Sequence, residues 1–150
     1  WNLGGSTGWQ ARWSSESSQG RCVMGRSRAA ARAAGSSMER LAADYLKAHV
    51  SRFIDRRVRV GARDCGDLVN VETQDCARVV VEVKNVATMS LGAWVAEAEV
   101  ERINDGALVG LVVHKRRGVA APGDQFVTMT LRDLAALLTG KRPDDQGAAA

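Results

Sequence analysis

The chain reads as an α/β domain, a mixed central sheet flanked by helices in the order α-β-β-β-α-β-β-α. Three observations predict this. Apolar residues recur at helical spacing in two long segments, and short β-branched runs separated by Gly, Asp or Asn lie between and after them. The 150 residues, 45% of them hydrophobic, are enough to bury one core.

Met38, Leu41, Ala42, Tyr45, Leu46 and His49 follow a helical period, which predicts an amphipathic helix over residues 37–50. Extended segments are expected at 53–60, 67–71 and 78–84, where β-branched residues dominate. The turn-rich residues 72–77 let the last two pair as a hairpin. A second helix fits 91–104 and stops at Asp105-Gly106, where glycine can take the left-handed conformation. The run 107–113 predicts a buried strand, 125–130 another, and 131–138 a short final helix. Pro122-Gly123-Asp124 is a turn before the fifth strand.

Residues 1–35 are rich in Ser, Gly, Arg and Ala, with Trp1, Trp9 and Trp13 at no regular period, so a flexible segment is expected there. Met24 reads as a natural start, which sets residues 1–23 apart as upstream sequence. The domain is therefore placed at 36–139, with a frayed tail over 140–150.

Net charge is +4 and pI about 9.3, an excess that permits nucleic-acid binding. No apolar run approaches the roughly 20 residues that span a bilayer, and no signal-peptide core is present, so a soluble cytoplasmic protein with no membrane partner is expected. Cys22, Cys65 and Cys76 form no C-x-x-C pair and read as free thiols. Phosphate loops, G-x-G-x-x-G, G-x-S-x-G and H-E-x-x-H are all missing, which weakens ATPase, dehydrogenase, hydrolase and metalloprotease readings.

The most informative residues are Asp67 in Gly-Asp-Leu-Val and Glu82-Val83-Lys84 at the end of an apolar run. Strand side chains alternate, so Glu82 and Lys84 share a face while Val79, Val81 and Val83 take the other. The hairpin brings Asp67 beside Glu82. Two carboxylates on neighbouring strands suit Mg²⁺, which takes oxygen ligands and accepts phosphate oxygens. Lys84 can orient a water and offset charge on a pentavalent phosphorus. A plain cross-strand ion pair is the alternative.

Glu39, three residues after Ser36, can serve as the acidic half of a capping box. Glu97, Glu99 and Glu101 occupy alternate helix positions and cannot all face the same site, so most of them are expected in solvent. Trp94 is a packing anchor, and His49 and His114 have no partner at ligand spacing. Lys115-Arg116-Arg117, together with Arg56 and Arg57 in the cluster of Arg52, Arg56, Arg57 and Arg59, are the candidate contacts to DNA phosphates.

Over residues 36–139 this order, with Glu39 on the first helix, Asp67 on the second strand and Glu82-x-Lys84 on the third, resembles the PD-(D/E)XK nuclease superfamily, and within it Holliday junction resolvases of the archaeal and phage kind. The resemblance implies a restriction-endonuclease-like core and a Mg²⁺ site, open also to Mn²⁺, made by Asp67, Glu82, the Val83 backbone carbonyl and Glu39. Lys84 is then catalytic, and Glu97 stands where the family often has glutamine. Gly66 replaces the proline of the motif. The resemblance also implies a homodimer acting on four-way DNA junctions, in a bacterial or phage-infected cytoplasm. A non-catalytic DNA-binding module on the same fold, and a nuclease for linear or single-stranded DNA, are the alternatives.

Overall fold

The computed structural model describes residues 27–58 and 64–143. The expected flexible segments at 1–26 and 144–150, and the end of the first extended segment at 59–60, lie outside the described residues.

The elements in chain order are α1 (Arg28–His49), β1 (Asp55–Arg56), β2 (Leu68–Val69), β3 (Val79–Lys84), α2 (Leu91–Asp105), β4 (Val109–His114), a 3₁₀ turn (Pro122–Asp124), β5 (Phe126–Thr128) and α3 (Leu131–Thr139). Helix α1 starts nine residues before the predicted residue 37, inside the segment expected to be flexible. The alanines that looked like low-complexity sequence are the best helix formers, and the Ser27 hydroxyl caps the new start by accepting from the Ala30 N–H at 3.2 Å. Ser36 and Glu39 therefore sit inside the helix, and the capping-box alternative fails.

The main sheet is mixed and three-stranded, in the order β3-β4-β5. β3 and β4 run parallel, pairing Val79 with Val109 through Lys84 with His114, and α2 makes the crossover between them. β5 adds antiparallel to β4. The expected three-strand meander is only partly formed. β1 and β2 make a separate antiparallel pair, joined to β3 by the Asp67 N–H to Val81 O and Val79 N–H to Val71 O bonds and a Glu72–Arg78 bridge.

One core layer lies between α1 and β3. Met38, Ala42 and Ala43 of α1 pack with Val79, Val81 and Val83, backed by Leu68, Val109 and Ala136. Each fully buried valine-sized side chain contributes about 1.5–3 kcal/mol. On the opposite face Trp94 and Ala98 of α2 pack on Val112. The helix approaches closely because position 110 is glycine: a Cβ there would lie 2.6 Å from the Ala98 carbonyl oxygen. α2 ends, as predicted, on Gly106 at φ 62°. No helix among the described residues is long and apolar enough to cross a membrane. Cys65 and Cys76 are free thiols.

The C-terminal boundary moves outward. Arg142, expected in the frayed tail, donates to the Asp133 carboxylate at 2.6 Å, to Glu99 at 2.9 Å and to the Leu108 carbonyl at 3.2 Å. Asp133 is buried on α3; burial opposes its charge, but hydrogen bonds from Thr130 and then Arg142 prevail and lower its pKa. Removing the arginine would leave that carboxylate uncompensated, so Arg142→Ala is expected to cost about 3 kcal/mol in urea unfolding. A loss below about 0.5 kcal/mol, the scale of an ordinary surface substitution, would show that the tail is not part of the domain.

Candidate functional site

The face of β3 that turns away from α1 carries the polar side chains. With Val79, Val81 and Val83 committed to the α1 core, Glu82 and Lys84 point toward α2, as strand alternation requires. Glu82 is 4% exposed. Its Oε1 accepts from Lys84 Nζ at 2.6 Å, and its Oε2 is buried with no hydrogen-bond partner. Lys84 Nζ also donates to Glu97 Oε2 at 2.6 Å, so one ammonium bridges a buried and a half-exposed carboxylate.

Asp67 stands directly before β2 and is fixed at three points, two on β3 and one on Arg57 just after β1. Its N–H donates to the Val81 carbonyl at 2.9 Å, its carbonyl accepts from the Arg57 N–H at 2.7 Å, and its Oδ2 accepts from the Val83 N–H at 2.9 Å. The preceding Gly66 has φ +87°, with Val80 Cγ1 and the Val81 carbonyl about where a Cβ would go, at 2.9 and 3.0 Å. Proline is locked near φ −65° and cannot adopt this backbone. A glycine rather than a proline at position 66 therefore suits the local chain path.

Electrostatics mark the same spot. Burial, with the Asp67 and Glu97 charges behind it and Lys84 opposing, pushes the Glu82 carboxyl up to about 7. For Lys84 burial works the other way, but its hydrogen bonds to Glu82 and Glu97 prevail and raise its pKa.

A further carboxylate, absent from the expected site, joins the group. Glu101 is 2% exposed, its Oε2 has no hydrogen-bond partner, and one oxygen from each of Glu82, Glu97 and Glu101 lies within 4.8 Å of the others. Burial foremost, then the Glu82 charge, pushes the Glu101 carboxyl up to about 8. The expectation that most of the alternating glutamates are solvated is corrected here. Glu99 is held by Arg102 and Arg142, and Glu101 falls on the inner stripe of α2 with Trp94 and Ala98. The 94, 98, 101 spacing was the signal available in the sequence: a glutamate stands where an amphipathic helix calls for an apolar residue.

Neither Glu39 nor Asp67 is in the three-carboxylate group that meets at Glu82; Asp67 reaches Glu82 only as a neighbouring charge. Arg56, at 3.0 Å from Nε, holds the Glu39 Oε2. Arg56 and Arg57 are correspondingly occupied by acids, the latter by Asp105 at 3.4 Å. The second basic cluster lies closer to the centre. Lys115 follows His114, the strand partner of Lys84, and its N–H donates to the Lys84 carbonyl at 3.0 Å. Lys84, Trp94, His114, Lys115 and Arg117 line one shallow pocket. Lys115 Nζ bonds the Val119 carbonyl, Arg117 the Val86 carbonyl at 2.7 Å, and exposed Arg116 lies over the Phe126 ring. Buried His114 sits between Trp94 and Phe126, its Nε2 2.9 Å from Thr128 Oγ1, and burial lowers its pKa.

No protein-family model, curated protein or solved structure matches the chain.

Proposed function

We propose that this protein is a Mg²⁺-dependent DNA endonuclease of the PD-(D/E)XK kind, acting on branched DNA as a Holliday junction resolvase. One observation carries the reading: Glu82 is a buried carboxylate with an unpartnered oxygen, flanked by Lys84 on its own strand and by Asp67, whose carboxylate lies against the Val83 N–H. A buried carboxylate oxygen without a donor calls for a proton or a cation. The set of Asp67, Glu82 and the Val83 carbonyl offers oxygen alone, with neither His nor Cys, which suits Mg²⁺ or Mn²⁺.

Asp67, Glu82 and the Val83 carbonyl are the residues that would hold the ion, whereas the Glu39 carboxylate is already engaged by Arg56. A bound Mg²⁺ polarises phosphoryl oxygens and acidifies a water. Lys84 is held at a fixed place by two carboxylates and offers its charge to the phosphorane that forms when water adds to the phosphodiester. In the cation-free chain Glu97 shares that ammonium with Glu82. The surface beside Lys84, with Lys115 and Arg117 on the wall of a small pocket and Arg116 nearby, offers positive charge to the backbone phosphates next to the scissile one. A homodimer belongs to the reading, since a twofold axis sets two centres on opposed strands of a junction.

The test is cleavage of a labelled four-way junction beside matched linear duplex and single strand, with Mg²⁺ or EDTA. Symmetric cuts in the junction that need Mg²⁺ are expected. Cutting of the linear or single-stranded controls alone would retain the nuclease and reject the junction, and tight binding without cutting would favour a non-catalytic DNA-binding module.

A further inference from the structure

We propose that α2 builds a divalent-cation position of its own from Glu97 and Glu101 together with Glu82, beside the Asp67–Glu82 position, and that a cation there detaches Lys84 from Glu97. This rests on the nuclease reading in sharing Glu82 and in giving the detached lysine a phosphate to meet.

Glu97 and Glu101 are one helical turn apart and project from the same side of α2. With Glu82 they bring three carboxylate oxygens within 4.8 Å of one another. Two of the three side chains are more than nine-tenths buried, and each of these keeps an Oε2 with no hydrogen-bond donor. An ion pair would leave such oxygens satisfied. Here a single ammonium reaches only Glu82 Oε1 and Glu97 Oε2, and Glu101 receives no hydrogen bond at its buried oxygen. Glu97 is half-exposed, which gives a cation a route from solvent to the buried pair. The close approach of α2 at Gly110 fixes the helix over the sheet, so the three donors are in place before any ion arrives.

A hard divalent ion among these oxygens competes with Lys84 for Glu82 and Glu97. Two cations at contact distance repel, and the divalent one gains more from three carboxylates than the ammonium gains from two. Lys84 then swings from Glu97 into the pocket it already lines with Trp94, Lys115 and Arg117. Cation binding on α2 thereby converts Lys84 from an internal counter-ion into an anion-binding group.

Mn²⁺ binding followed by electron paramagnetic resonance, without DNA, tests the site on the wild-type chain, Glu101→Gln, Glu97→Gln and Asp67→Asn. Wild type is expected to take up a second Mn²⁺ equivalent that both α2 variants weaken at least about tenfold, the scale of losing one ligand-shell group, and that Asp67→Asn retains. Amine-reactive labelling of Lys84 should rise when Mg²⁺ is added to wild type and stay flat in Glu101→Gln. Circular dichroism checks folding, and Glu97→Gln, at an exposed position, serves if the buried variant fails. Wild-type Mn²⁺ binding in both α2 variants would overturn the proposal, even if the protein cuts junctions. Conversely, an α2 cation lost in Glu101→Gln, with no DNA of any shape cut, would uphold this site and overturn the nuclease reading.

Discussion

Glu82→Gln and Asp67→Asn are each expected to reduce Mg²⁺-dependent junction cleavage by at least about 100-fold while leaving the fold intact. Both substitutions keep shape. Asparagine at 67 can still accept from the Val83 N–H, and glutamine at 82 can still accept from Lys84, so the packing of β3 is preserved. What is removed is the negative charge that balances a cation. Lys84→Ala should fall into the same class, because the ammonium faces the charge that grows on phosphorus. The measurement is single-turnover cleavage at saturating Mg²⁺, with circular dichroism as the fold control. If all three variants cut within a few-fold of wild type, the catalytic centre lies elsewhere.

The second large effect concerns stability. Glu82 and Glu101 have carboxyls raised in the fold to about 7 and about 8, from an ordinary value of 4.5. In that window the folded chain holds protons that the unfolded chain has released, so metal-free stability falls as pH rises and levels off above the folded values. His114, whose pKa burial lowers, raises stability with pH mainly below its ordinary value of 6.5 and opposes this trend only weakly above it. The loss is on the order of 2 kcal/mol, counting about 1.4 kcal/mol for each tenfold change in proton affinity and discounting for partial solvation. Glu101→Gln should remove most of the slope and unfold later than wild type at pH 8, with little difference at pH 5. Saturating Mg²⁺ should flatten the wild-type curve. Urea unfolding at several pH values measures this, and stability that stays level or rises from pH 6.5 to 8.5 would show that the two carboxyls are ionised at no cost.

The two predictions divide the glutamates of the centre by role. Glu82 belongs to both, because it lies on the strand that carries Lys84 and beneath the helix that carries Glu101. Glu97 holds Lys84 while no cation is present. Glu101 belongs to the second, since its side chain gains nothing from the fold unless a proton or a cation accompanies it there.

Helix α2, strand β3, and the shared face of Glu82 and Lys84 were legible in the sequence because they follow from periodicity, 3.6 for α2 and 2 for β3, with a glycine where α2 must stop, whereas β1 and β2 are far shorter than expected. Alternation along one strand needs no tertiary knowledge. The start of α1 was misplaced because alanine reads as low complexity in composition and as strong helix propensity in the backbone. Tertiary structure alone decided which acids meet. Glu39 and Glu101 both lie on helices at plausible positions, yet Arg56 claims one and the descent of α2 onto Gly110 buries the other beside Glu82. It likewise decided that Arg142 belongs to the domain and that position 66 demands a backbone no proline can take. Local pattern sets which way a side chain points from its own element, whereas the partner it finds depends on how closely two elements approach, and that distance is set by packing between residues far apart in the chain.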